Sequence, residues 1–167
     1  FIELTRAKKW RRTGVIWWNM IDGWPQFSDA VVSYDFGKKL AYHYIKRSQQ
    51  DVLLLFTEPE NWHIRLLAAN DTLHERRGTY RVVDGDSGET LMHGEFVSPA
   101  NQTAEIAALR VSHGHQRLLL IEWEIDAQRS GNHYVLGKPP LSLARYKSWL
   151  EKIAELDGSF SAREVGK

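Results

Sequence analysis

Apolar and polar positions along this chain change period near residue 50. Before that point, Ile2, Leu4, Ala7 and Trp10 stand among Glu, Arg and Lys, the pattern of the end of an amphipathic helix over residues 1–12. Thr13-Gly14 stops it. Val15-Ile16-Trp17-Trp18 is then a short unbroken apolar run, which predicts a strand buried on both faces in a parallel sheet. Helix, tight turn and buried strand make an α/β unit, and parallel strands require such crossovers. Gly23 to Gly37 reads as loop, with Pro25, Ser28, Asp29 and Asp35. The spacing predicts a helix over 38–47, with Leu40, Tyr44 and Arg47 on one face and Ala41 and Ile45 widening its apolar stripe.

After Gln49-Gln50 the period shortens to that of strands. Runs at Val52–Phe56, Trp62–Ala69, Gly78–Val83, Thr90–Phe96, Ala104–Leu109, Arg117–Ile125 and His133–Leu136 are separated by turn chemistry. Those turns include Glu58-Pro59-Glu60-Asn61, Asp84-Gly85-Asp86-Ser87-Gly88 and Ser130-Gly131-Asn132. In the clearest strand Leu119, Ile121, Trp123 and Ile125 share one face while Glu122 and Glu124 take the other. About seven short strands at this rhythm predict a mainly β fold, an immunoglobulin-like antiparallel β-sandwich. Past Pro139-Pro140, Tyr146, Trp149, Leu150 and Ile153 return to helical spacing, a short C-terminal helix with one apolar face. From Asp157 the tail is small and polar, and fraying is expected there.

Three parts follow from this pattern. Residues 1–49 form an incomplete α/β fragment, 50–142 the β-sandwich, and 143–167 the C-terminal helix and tail. The fragment has only one strand and cannot build a sheet with itself. Its apolar surface must dock on the sandwich, pair with another copy, or stay poorly ordered.

Composition changes this picture little. The 167 residues suffice for one domain with an appendage, and 43% hydrophobic with 26% charged residues is ordinary for a globular protein. A net charge of +1 gives no general attraction for nucleic acid or anionic membrane, and neither is expected as a partner. Lys8-Lys9-Trp10-Arg11-Arg12 reads as a solvated helix end. Cysteine is absent, which removes disulfides, thiol nucleophiles and thiolate metal sites, and fits cytoplasm and periplasm equally. No apolar run approaches the roughly 20 residues of a membrane span, and no signal peptide opens the chain. It starts on Phe1 with helix-like sequence at once, so the expectation is a piece of something longer.

The candidate chemistry lies in the first part. Gly14-Val-Ile-Trp-Trp-Asn-Met-Ile-Asp-Gly-Trp-Pro-Gln-Phe-Ser-Asp29 carries three of the seven tryptophans within eight positions, beside Asn19 and Asp22. Flat, amphipathic indoles suit the apolar faces of sugar rings. This segment, with Phe1-Ile-Glu-Leu-Thr-Arg before it, resembles the end of the catalytic barrel in glycoside hydrolase family 2, in its β-mannosidase-like branch. Lys38-Lys-Leu-Ala-Tyr-His-Tyr-Ile-Lys-Arg47 resembles that family's last barrel helix. Asn132-His-Tyr-Val-Leu-Gly-Lys-Pro-Pro-Leu and the Tyr146–Leu150 helix resemble that branch's ending. Between these stretches the likeness is architectural only.

The resemblance implies a retaining exo-glycosidase with a (β/α)8 barrel flanked by sandwiches. Its two catalytic glutamates would lie upstream of Phe1, so no catalytic residue is expected in this chain. It also implies that Trp18, or Trp17 after a one-residue shift, lines the pocket beneath the sugar, with Asn19 and Asp22 beside it. Strand alternation places one indole inside the barrel and its neighbour against the surrounding helices.

Several residues have plainer readings. Both tryptophans read as aromatic core on pattern alone. Asp22 reads as a loop anchor accepting backbone N–H bonds, Asp29 as a helix or turn cap, and Trp24-Pro25 as a rigid turn with its ring packed down. His113-Gly114-His115 lacks a third ligand and reads as a solvent-facing turn, with no metal. Glu122 and Glu124, about 7 Å apart, fit the spacing of an inverting glycosidase but read better as the polar face of a half-buried strand. No catalytic triad order, phosphate loop or dinucleotide fingerprint occurs. The expectation is therefore the non-catalytic C-terminal portion of a β-mannosidase- or β-galactosidase-like enzyme. It would need no cofactor, reach carbohydrate through the parent enzyme, and buttress the rest of the barrel. The alternatives are a carbohydrate-binding module using Trp62 and Trp123, or an interaction domain forming a homodimer.

Overall fold

Alternation of apolar side chains from Val52 onward is realised as seven antiparallel strands in two sheets. The computed structural model describes residues 1–112 and 116–157; His113, Gly114 and His115 lie outside the described residues. The strands are β1 (Val52–Phe56), β2 (His63–Asn70), β3 (Arg76–Asp84), β4 (Thr90–Ser98), β5 (Thr103–Arg110), β6 (Arg117–Ile125) and β7 (Gln128–Leu136). One sheet has the order β1-β2-β5 and the other β4-β3-β6-β7. The chain crosses between them after β2, β4 and β5, the Greek-key connectivity of immunoglobulin-like sandwiches. Leu53, Leu55, Ile64, Leu66, Val82, Leu119, Ile121 and Trp123 fill the space between the sheets. The strand readings at Val52–Phe56 and Arg117–Ile125 match residue for residue.

β7 starts five residues earlier than its sequence pattern suggests. The hairpin turns at Asp126-Ala127, both at positive φ (51° and 61°), and β7 then pairs with β6 along its whole length. Ser130-Gly131-Asn132, read as the turn, lies within the strand. An alanine at positive φ is no turn signal, so only the long ladder opposite β6 reveals it.

The C-terminal helix, α3 (Leu143–Glu155), covers half of the outer face of the second sheet. Trp149 and Ile153 are buried against Leu118, Leu120 and Val135. Trp149 donates its indole N–H to Asp86 at 2.7 Å, and Arg145 lies over the same ring while pairing with Asp86 at 3.0 Å. The other half of that face is polar. Arg81 clasps Glu122 at 2.6 Å and Arg129 meets Glu124 at 3.3 Å, the solvated strand face that alternation implies.

Residues 1–49 depart from the sequence reading in three respects. The first helix, α1, spans only Ile2–Arg6, followed by turns in which Trp10 takes a positive φ of 68°. The second helix, α2 (Leu40–Ser48), buries His43, Arg47 and Ser48, whereas Ala41 faces solvent. Its buried side is polar because it meets groups that need donors. Arg47 donates to the Ile153 carbonyl at 2.9 Å and lies 3.0 Å from Nδ1 of His133. Finally, Val15–Trp18 forms no strand. A parallel strand is made by its neighbours, and among the described residues no strand runs beside it.

Candidate functional site

Residues 13–17 are without regular secondary structure, and among the described residues no backbone hydrogen bond reaches 13–18. The side chains nevertheless alternate. Val15 and Trp17 turn toward the molecule and line a cleft of about 450 Å³ whose other walls include Glu3, Tyr44, Phe56 and Tyr134. Ile16 and Trp18 turn away, 97% and 80% exposed, against 36% for Trp17. Two indoles adjacent in sequence thus serve opposite sides of one extended segment. The Trp18–Asn19 peptide is cis.

Asn19 begins a self-braced loop. Its Oδ1 accepts the Ile21 N–H at 2.9 Å and its carbonyl accepts from Val31 at 3.3 Å. Val32 donates to the Met20 carbonyl, and Asp22 donates to the Val32 carbonyl. Asp22 itself is 3% exposed. Its carboxylate accepts from the Ser28 hydroxyl, from the Lys39 ammonium at 3.0 Å, and more weakly from Gln26 at 3.5 Å. The Ser28 hydrogen bond first, and Lys39 with it, hold its pKa below the usual carboxylate range against the opposing effect of burial. Asp22 therefore anchors the loop as read from sequence, but through side chains rather than backbone N–H groups.

Two further readings change. Asp29 is exposed, and the turn it was expected to cap is closed by Ser28, whose Oγ accepts the Ala30 N–H at 3.0 Å. Trp24 does not pack down: it is 63% exposed, and Phe27 beside it is fully exposed. Trp10, Ile16, Trp18, Met20 and Phe36 are exposed as well, so residues 10–36 turn many of their large apolar side chains to solvent. Trp123 is buried in the sandwich core while Trp62 is exposed, so the two do not share a surface platform.

What the sequence did not disclose is the grip on α1. Arg6 donates to the carbonyls of Ser48 (2.7 Å) and Ala69 (3.2 Å) and pairs with Asp71 at 3.1 Å. Lys9 reaches the Asn70 carbonyl and the Asp71 carboxylate, and Trp10 Nε1 donates to the Asn101 carbonyl at 3.1 Å. Thr103 donates back to the Arg6 carbonyl at 2.8 Å. Only the basic run at Lys8–Arg12 hinted at this, and it was read as solvated. Glu3 accepts from Asn132 at 3.1 Å, and burial raises its pKa. No group of three or more metal-ligating side chains occurs among the described residues, nor any helix long and apolar enough to cross a membrane.

A scan against family models finds no match, and neither does a comparison with curated proteins. Among solved structures the fold is similar to the crystal structure of β-D-mannosidase from Dictyoglomus thermophilum, with a TM-score of 0.67 and 22% sequence identity. The match covers 81% of this chain and 17% of that one, so the chain spans under a fifth of that protein's length.

Proposed function

We propose that this chain is the C-terminal, non-catalytic portion of a retaining exo-glycosidase of the β-mannosidase-like branch of glycoside hydrolase family 2. Residues 1–49 supply the last helix–strand–helix of a (β/α)8 barrel, 50–142 the terminal sandwich and 143–167 its closing helix. The observation that carries this reading is the Val15–Trp18 segment. It has no backbone hydrogen-bond partner and its exposure alternates, with Val15 and Trp17 toward α1 and α2 and with Ile16 and Trp18 away from them. A barrel strand has this two-sidedness, its helices on one side and the barrel interior on the other. The fold-level likeness to a sixth of a β-mannosidase supports the same reading.

On this reading Trp18 faces the interior and offers its indole to the sugar, Trp17 packs beneath the helices, and Asn19 continues the pocket wall, with the buried Asp22 behind it. The chemistry itself needs two carboxyl groups about 5–5.5 Å apart, one of them an acid with a raised pKa. Asp22 cannot serve as that acid, because Ser28 and Lys39 keep it ionised. Glu122 and Glu124 are held in exposed ion pairs on the outer face of the second sheet. The sandwich acts as a buttress, and the contacts of Arg6, Lys9 and Trp10 with its loops are the means.

The test is turnover of an aryl β-mannoside by the longer polypeptide that carries this chain. Trp18→Ala is expected to lower kcat/KM by about 100-fold, the scale of misplacing a substrate in its pocket. Trp17→Ala is expected to act mainly on stability. Unchanged kinetics in Trp18→Ala would overturn the assignment.

A further inference from the structure

Three stretches of one loop converge on a single carboxylate. Residues 19–22, 28–32 and 37–39 are cross-linked by backbone hydrogen bonds from Val31 to Asn19, Val32 to Met20, Asp22 to Val32 and Lys39 to Val31. At their meeting point lies the Asp22 side chain, with no solvent exposure of its own. It receives Ser28 and Gln26 from the loop tip and Lys39 from the residue that precedes the first turn of α2. The same Lys39 ammonium donates to the Ser28 carbonyl at 3.1 Å, closing the ring of contacts.

An ion pair with one buried partner contributes little net stability, because desolvating the carboxylate offsets much of its attraction to the partly exposed ammonium. Its geometric effect is larger. Leaving either partner alone strands a charge, so the arrangement tolerates only one loop position. Asn19, next to Trp18, is tied to this position through its carbonyl and through the Asx bond to Ile21.

We infer that Asp22 is the positioning residue of the tryptophan wall: paired with Lys39 and Ser28, it fixes Trp18-Asn19 relative to α2 and so sets where the sugar platform stands. The inference rests on the glycosidase reading for its substrate but not for its mechanics, and its test separates the two. Asp22→Asn keeps the shape and the Ser28 contact while removing the charge that Lys39 needs. Lys39→Met removes the other charge, and the double variant leaves no charge stranded. Asp35→Asn, an exposed carboxylate on the same loop that meets Ser33 and nearby backbone N–H groups but no charged partner, is the control.

Two readouts are taken on the longer polypeptide. Amide exchange at Ile21, Asp22, Val31 and Val32 is expected to quicken by about tenfold or more in Asp22→Asn and to recover part of its protection in the double variant. The sandwich amides of β3 and β6 should be unchanged. In parallel, kcat/KM for an aryl β-mannoside is expected to fall by about 100-fold in Asp22→Asn, with the double variant partly rescued and the control unaffected. Loop exchange unchanged by Asp22→Asn overturns the inference whatever the enzyme does. Quickened exchange with unchanged kcat/KM overturns the link to the wall. Absence of turnover in the wild type sinks the glycosidase reading, while exchange still decides the mechanics.

Discussion

Trp149 shows how much one side chain can decide. Its ring is the centre of the contact between α3 and β6, and its N–H has its partner in Asp86 on the β3–β4 turn. Trp149→Ala is expected to cost about 3–5 kcal/mol in urea unfolding, the usual price of emptying a large aromatic site. His133 makes a second residue-scale prediction. Burial, reinforced by the nearby Arg47 guanidinium, pushes its pKa down from 6.5 to about 3. The folded state therefore holds it neutral, with Nδ1 facing Arg47. Because the folded value is depressed, this contribution to stability is complete above pH 6.5 and is lost as pH falls toward 3. Urea midpoints measured from pH 7 to pH 4 should fall in the wild type and fall less in His133→Gln. At this scale the sequence was only half legible. Asp22 could be read as an anchor from its place beside a Gly-Trp-Pro turn. Its partners could not, since Ser28 and Lys39 meet it only after the loop has folded back on itself.

Among the elements, strands were the most legible, because a two-residue period with turn residues between is a direct consequence of the pleat. β7 was the exception, its hairpin turning on Asp126-Ala127 rather than on a glycine. The strand expected at Val15–Trp18 fails for a different reason: its apolar run is right for a buried strand, but strandedness belongs to the pair and not to the segment. α1 is short, and its place depends on partners far along the chain. Glu3 sits half-buried against Asn132, and partial desolvation raises its pKa. A folded value above the unfolded one adds stability that is fully present below the unfolded pKa and is lost as pH rises through the folded one. Glu3→Gln is thus expected to raise the melting temperature at pH 8 and to leave it nearly unchanged at pH 4. Melting curves at those two values check the sign. In the second sheet, a Cβ on Gly78 would sit 2.3 Å from the Glu124 carbonyl oxygen. Gly78→Ala must then part β3 from β6, and loss of the cooperative unfolding transition, or a destabilisation of about 1–3 kcal/mol, is the expected result.

For the whole molecule, the sandwich and its C-terminal helix form a closed core, while residues 10–36 turn Trp18, Trp24 and Phe27 outward. The change from helices to strands near residue 50 was legible because it is a change of period. The docking of α1 onto the sandwich was not, since it depends on carbonyl groups of Ala69 and Asn70 that no sequence pattern advertises. The central claim is that this chain carries one wall of a sugar pocket and a buttress for it, and leaves the chemistry to the rest of a barrel. The decisive measurement is hydrolysis of an aryl β-mannoside, side by side for the 167-residue chain and for the longer polypeptide that the proposal requires around it. The account predicts turnover by the longer polypeptide and none by the chain alone. Turnover by the chain alone, abolished by replacing one of its own carboxylates, would contradict it.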